Sequence, residues 1–203
     1  MPKIDYLIPP QNFEIVRQRI GEIIADELSH QVVLDTDSGA DINARVWMER
    51  AQAFSHTEMP AINVLLAKSG YDNGDANVDD GTYTFEIDVY ACAKADADSR
   101  GDFLAALKMQ RMCGIVRTIF TDQAYRTLGF APPYIERVSV VGMNFPDPLP
   151  VQDTLNVVMG RVTLTVRVNE DGKAKDPELI GSYTTQIKLE TTNKGYYLKG
   201  INY

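Results

Sequence analysis

The sequence predicts an α+β fold: a mainly antiparallel or mixed β-sheet with two amphipathic helices packed on one face, plus C-terminal β-hairpins and terminal arms. Three observations carry this. Apolar residues recur at helical spacing over residues 13–28 and again over 103–120. Between these stretches, residues 82–91 alternate between apolar and polar. After the second helix, every further element reads as a strand or a turn. The order helix, strands, helix, strands lays both helices on one side of one sheet.

Residues 1–11 read as an arm, because Pro2, Pro9 and Pro10 prevent an early helix. Ile4, Tyr6, Leu7 and Ile8 make that arm apolar, so the domain or a neighbour must cover it. Asn12 then reads as an N-cap. Phe13, Val16, Ile20, Ile23, Ile24 and Leu28 form an apolar stripe, with Arg17, Arg19, Glu22 and Asp26 on the opposite face. The helix so marked runs for about four turns and ends before Gln31. Val32-Val33-Leu34 reads as the start of a strand, and residues 35–43 as a turn cluster. Residues 44–54 fit neither period.

Met59 to Ala67 reads as a strand, with Pro60 near its start, where a missing donor is tolerated. Residues 68–81 read as a long polar loop carrying Asp72, Asp75, Asp79 and Asp80. Tyr83, Phe85, Ile87, Val89 and Ala91 then form one apolar strand face. Ser99 with Asp102 resembles a capping box, with Asp in place of Glu or Gln. It opens a second helix whose buried stripe is Phe103, Leu104, Leu107, Met112, Ile115, Val116, Ile119 and Phe120. Beyond Pro132-Pro133, strands follow at Ile135–Met143 and Thr154–Val168. Asp171-Gly172 is a hairpin turn signal, and Tyr183–Thr191 alternates again. The tail carries Tyr196, Tyr197, Leu198, Ile201 and Tyr203, so both chain ends are apolar and aromatic.

The chain has 203 residues, which fits a single domain over 1–203: an arm at 1–11, a core at 12–168 and a hairpin with arm at 169–203. Its 20 basic residues against 28 acidic ones give a net charge of -8. That balance disfavours a general nucleic-acid binder, which needs a basic face to neutralise phosphates. Two His and two Cys exclude a large histidine or thiolate metal site. The first residues contain no apolar core of a secretory signal. No stretch approaches the roughly 18 apolar residues of a membrane span. Cys92 and Cys113 do not make a disulfide framework and read as small buried residues in a reducing compartment.

Four motif-like features invite a chemical reading. Asp75, Asn77, Asp79 and Glu86 echo a calcium loop, but Asp80 stands where the invariant glycine belongs and Glu86 lies in a strand. The cluster Asp35, Asp37 and Asp41 has Gly39 in a ligand position. Pro146-Asp147 with Asp171-Gly172-Lys173 matches the text of a metal nuclease, yet Asp171-Gly172 is a turn and Pro148 and Pro150 make the first half a loop. There is no nucleophile elbow or phosphate loop, and His30 and His56 stand apart from any matched nucleophile and acid. Arg100-Gly101-Asp102 falls in the first turn of a helix, where Asp102 suits the dipole. These absences point to assembly through surface complementarity, with no catalytic residues, metal or cofactor expected.

The order of elements resembles a known family. The helix Phe13–Leu28, the strand Met59-Pro60-Ala61-Ile62-Asn63-Val64, the polar stretch after it, the strand Tyr83–Tyr90, the helix Phe103–Phe120 and the late β-hairpins are similar to the tail terminator, or tail-completion, proteins of long-tailed bacteriophages and related contractile particles. The resemblance covers residues 11–121 and, more loosely, 135–168, and it rests on the pattern of elements. It implies a virion structural protein, made in the host cytoplasm. Such a protein forms a homo-oligomeric ring, usually a hexamer, that caps the tail tube and meets a head-side neck protein. It implies DNA only as passing cargo, no membrane and no enzyme activity. Neck, tube and baseplate ring proteins of the same particle remain alternatives, as does a calcium- or magnesium-binding module or metal-dependent enzyme.

On this reading Ile4, Tyr6, Leu7, Ile8, Tyr196, Tyr197, Leu198, Ile201 and Tyr203 are interface residues. Trp47 is either an interface anchor or core. Asp72, Asp75, Asp79 and Asp80 either face a channel, where negative charge repels phosphate, or lie on a solvated outer loop.

Overall fold

A computed structural model describes residues 7–35, 39–75, 78–95, 100–146 and 156–170. Within them the fold is α+β. A five-stranded mixed sheet has the order β1-β2-β3-β5-β4, where β1 is Arg45–Met48, β2 Ala61–Asp75, β3 Val78–Ala93, β4 Ile135–Asn144 and β5 Asn156–Asn169. Only β1 and β2 run parallel, and the other pairings are antiparallel. Helix α1 (Asn12–Leu34) packs on β1 and β2, and α3 (Gly101–Thr121) packs on β3, β5 and β4. A short α2 (Gly39–Ile42) bridges the two helices.

The core lies between the helices and one face of the sheet. On β3 the alternating residues Tyr83, Phe85, Ile87, Val89 and Ala91 are all fully buried, as their period predicts. Opposite them on β5, Val162, Leu164, Val166 and Val168 are also fully buried, and on β2 Ile62 and Val64 complete the layer. Gly160 interrupts this face of β5 for a steric reason. A methyl group there would overlap Met109 Sδ and lie 2.8 Å from Cys113 Sγ, so the glycine lets α3 settle onto the strand.

Several expectations are corrected. Helix α1 does not stop before Gln31 but continues through Val32-Val33-Leu34 to Asp35, whose N–H bonds Gln31 O at 2.9 Å. No Gly or Pro interrupts that stretch, and β-branched residues weaken a helix only slightly. Asn12 is not the N-cap. It is the first helical residue and is buried, while Gln11 caps the helix in a capping box with Glu14. Residues 68–75 and 78–81 are not a loop but the long arms of a β2–β3 hairpin, paired as far as Asp75 with Val78. A backbone ladder tolerates polar side chains that face solvent, and register shifts after Leu66 and after Asp72 absorb the irregular sequence.

The stripe expected on α3 is buried at Met112, Ile115, Val116, Ile119 and Phe120 and fails only in the first two turns. Phe103 and Leu107 are exposed, and Ala105, Met109 and Cys113 take the sheet-facing positions. Small and flexible residues there let the helix approach Gly160. The segment that fitted neither period, 44–54, contains β1, which pairs with β2 from Arg45–Ala61 to Met48–Val64. Ser99, and the strand signal at Tyr183–Thr191 with its turn at Asp171-Gly172, lie outside the described residues.

The two aromatic positions Phe85 and Phe103 separate core from surface. Phe85→Ala is expected to lower the unfolding free energy by about 3–5 kcal/mol, as a large core truncation does. Phe103→Ala should change it by less than about 0.5 kcal/mol. Urea denaturation of both variants checks the assignment.

Candidate interaction surface

One end of the sheet gathers α1's N-terminus, the end of β2, the start of β3, the end of β5 and the start of β4. A hydrogen-bonded cluster ties these elements together. Asn12 Nδ2 donates to Glu170 Oε2 at 2.5 Å, and Asn12 Oδ1 accepts from the Tyr134 hydroxyl at 3.0 Å. The Tyr83 hydroxyl donates to Glu170 Oε1, and Asn169 N–H bonds Tyr134 O at 3.0 Å. Tyr83 is fully buried, with Phe13 and Tyr71 ring centroids each 6.1 Å away. Burial, and then the Glu170 carboxylate, push its phenol well above the ordinary tyrosine range. Gly81 makes room for the cluster: a Cβ there would overlap Glu170 Oε1 and lie 2.8 Å from the Tyr83 hydroxyl.

This cluster fixes where the two terminal segments are rooted. Asn12 begins the helix that follows the N-terminal arm, and Glu170 is the last described residue before the C-terminal segment. The two roots are therefore one hydrogen bond apart. Within the arm, Leu7 is 93% exposed and Ile8 58%. Ile4, Tyr6, Tyr196, Tyr197, Leu198, Ile201 and Tyr203 lie outside the described residues.

The acidic residues are distributed along the hairpin rather than along a loop. Asp72 and Asp75 sit on β2, and Asp79 and Asp80 on β3. The side chains of Asp72, Asp75 and Asp79 lie outside the described residues. Asp80 is ion-paired: Arg167 bonds its Oδ2 at 2.5 Å, and Arg167 also meets Glu136 at 3.0 Å. Glu86 does not close a calcium loop with Asp79. They lie seven strand positions apart, about 23 Å at strand rise, and Glu86 is engaged by Arg161 at 2.5 Å. Among the described residues no group of three or more His, Cys, Asp or Glu is placed to hold a metal ion.

Trp47 belongs to the interior of this chain, on the sheet face opposite the helices. Residues 50–58 fold over that face. Asn63 clamps Arg50 by accepting from its N–H at 3.1 Å and donating to its carbonyl at 2.9 Å. The Arg50 guanidinium then stacks 4.2 Å from the Trp47 ring and 4.4 Å from Phe54, and pairs with both Glu58 oxygens. Beside it Asp88, also buried, is held by Arg161 at 2.6 and 2.8 Å. Cys113 is buried and its thiol is pushed up to about 12, chiefly by burial. Cys92 is half-buried, and its thiol is also raised by burial. Asp102 lies in the first turn of α3, ion-paired with Arg100 at 2.6 Å.

Two features escaped the sequence reading. A groove of about 390 Å³ lies between α1 and α3, bordered by Glu27, Arg111, Thr118, Asp122 and Tyr125. The Tyr125 hydroxyl donates to Glu27, which pushes Tyr125 up to about 12. The second is the β4 side of the sheet. Val141, Met143 and Phe145 are 65%, 41% and 45% exposed, and among the described residues no strand pairs with the outer edge of β4. The run VSVVGMNF carried that signal, since a strand so apolar needs cover on more than one side. No helix among the described residues is long and apolar enough to cross a membrane.

No known protein family and no curated protein sequence matches this chain.

Asn12→Ala is expected to leave Glu170 and Tyr134 each short of a partner and to cost about 1–3 kcal/mol in urea denaturation. Glu58 supplies a pH test. Its carboxyl is held below the ordinary 4.5 mainly by the Arg50 hydrogen bonds, with Ser55 assisting and burial opposing. A depressed carboxylate contributes stability above the unfolded-state value and loses it as pH falls through the folded-state value. Glu58→Gln should therefore be less stable than the parent at neutral pH. The difference should close as pH drops below 4.5 in a melting-temperature series.

Proposed function

We propose that this protein is a structural, ring-forming subunit of the tail-terminator type, which caps a phage-like tail tube and presents a surface to the head-side neck. The observation that carries the reading is the common root of the two apolar terminal segments at the Asn12–Glu170 contact. A ring subunit needs two different surfaces that meet head to tail. An arm of ten residues reaches at most about 36 Å beyond its root, far enough to lie across a neighbour. Leu7 and Ile8 already offer exposed apolar area in that arm. The roots of the two segments, Asn12 and Glu170, lie on one side of the subunit.

The order of elements along the chain supports the same reading through its resemblance to terminator proteins. The net charge of -8 suits a ring through which DNA passes without adhering, because like charge repels phosphate. In this role the partners are further copies of the chain, a tail-tube protein and a neck protein. The site of action is the virion tail, and binding rather than catalysis is the activity. A hexamer has six times the 22.6 kDa subunit mass.

Light scattering after size exclusion, across a range of protein concentrations, tests the reading together with a chain lacking residues 1–10. The full chain is expected to approach the six-subunit mass. The shortened chain should assemble less while melting at nearly the same temperature. Equal loss of assembly and of melting temperature would place the arm in the subunit's own core and remove its proposed role.

A further inference from the structure

We propose that Trp47, Phe54 and Glu58, with the carbonyls of Gln52 and Ala53, form a guanidinium site that Arg50 fills from within the chain, and that this one side chain latches residues 50–58 over the far face of the sheet. β1 and β2 are parallel neighbours. Such a pair needs a crossover of about a dozen residues, usually a helix that packs an apolar face on the sheet. Residues 49–60 supply twelve, but their helical content is the 3₁₀ turn His56–Glu58, none of whose residues is buried. Ala51, Gln52, Ala53, Ser55, His56 and Thr57 are all exposed. The crossover therefore has almost no apolar core of its own.

A guanidinium takes the place of that core. Arg50 Nε donates to Gln52 O and Nη2 to Ala53 O, each at 3.3 Å. Nη1 and Nη2 donate to the two Glu58 oxygens at 2.9 and 3.0 Å. Every guanidinium nitrogen thus has an acceptor inside the crossover. The Trp47 and Phe54 rings cover the same group at 4.2 and 4.4 Å, and they meet each other edge to face at 5.9 Å. Trp47 contributes its ring alone, since its indole N–H meets no acceptor among the described residues. Glu58 also accepts from Ser55 N–H at 2.9 Å, which ties the end of the crossover to the same centre. The Arg50 and Glu58 side chains are 13% and 15% exposed, so the pair is largely shielded from solvent. Asn63, buried on β2, holds the Arg50 backbone at both its N–H and its carbonyl, so the cation is anchored to the sheet. The crossover is folded around one cation as a binding loop is folded around a ligand.

The acceptor set selects a planar fork. Two carbonyls and two carboxylate oxygens surround the cation, whereas an ammonium carries three donors on a single atom. The rings favour a flat, weakly hydrated ion over a compact, strongly hydrated one. The ligand class of the site is therefore a guanidinium, and lysine at position 50 does not replace it. Loss of the cation frees residues 51–58 locally, because β2 and β3 are held by their own ladder. Release uncovers Trp47, which is otherwise 5% exposed, and Tyr90, whose ring centroid lies 5.0 Å from that of Phe54. The latch so controls access to an aromatic patch on the face opposite the helices. It does not depend on the ring reading.

Trp47 is the single tryptophan of the chain, so its fluorescence reports on this site alone. In the full chain, Arg50→Ala is expected to raise acrylamide quenching of Trp47. It should also raise amide exchange of residues 51–58 about tenfold while leaving the β2–β3 ladder unchanged. N-methylguanidinium, at a concentration that does not shift the melting temperature of the parent, should reverse both effects. Methylammonium at the same concentration should reverse neither, and Arg50→Lys should behave as Arg50→Ala does. Unchanged exchange of residues 51–58 in Arg50→Ala, full protection in Arg50→Lys, or no difference between the two cations overturns the proposal. Loss of protection throughout the sheet in both variants also overturns it, because residues 50–58 would then belong to the cooperative core rather than to a latch.

Discussion

The position of β5 between β3 and β4 constrains most of what this protein can do. With both edges filled, β5 and β3 form the middle of the sheet, and their shared helix-side face must be apolar throughout. That requirement places α3 above them and forces Gly160 where the helix comes closest. It also brings the end of β5, at Glu170, against the start of α1, and among the described residues it leaves β4 as the long outer strand. The positions of the two roots, Asn12 and Glu170, follow from this one arrangement. The far face is under a weaker constraint, which is why it tolerates the buried pairs Asp88–Arg161 and Glu58–Arg50 beside threonine-rich strands.

Where burial is one-sided and long, the sequence announced it. Tyr83 to Ala91 and Val16 to Leu28 show their period because every second residue, or one side of every turn, meets the same core. The misread segments are those whose structure is set from outside. The hairpin arms at 68–75 and 78–81 are held by backbone pairing, so their aspartates and glycines look like loop residues. β1 is four residues long and gains its place from the edge of β2 and from the Trp47–Arg50–Phe54 stack, none of which has a local signature. Phe103 and Leu107 carry the apolar signal of a buried face, whereas the close approach at Gly160 selects Met109 and Cys113.

The candidate surface was legible in part. Apolar termini were visible as composition, and Leu7 and Ile8 are exposed. That the two ends start from one hydrogen-bonded cluster was not legible, since Asn12, Tyr83, Tyr134 and Glu170 lie far apart in sequence and no spacing rule connects them. The acidic residues carried a charge signal but not their partners: Asp80 is paired with Arg167 across the β3–β5 ladder, a contact visible only in register. Among the described residues, exposed apolar side chains occur in the N-terminal arm at Leu7 and Ile8 and near β4 at Val141, Met143 and Phe145, and also at Val33, Leu34, Tyr71, Phe103 and Leu107.

The central claim is that this chain closes on copies of itself. Negative-stain electron microscopy of the purified full chain at high concentration addresses it directly. The account predicts closed rings of about six subunits with an axial opening. Particles of single-subunit size at every concentration, alone and with isolated tail tubes, would contradict it.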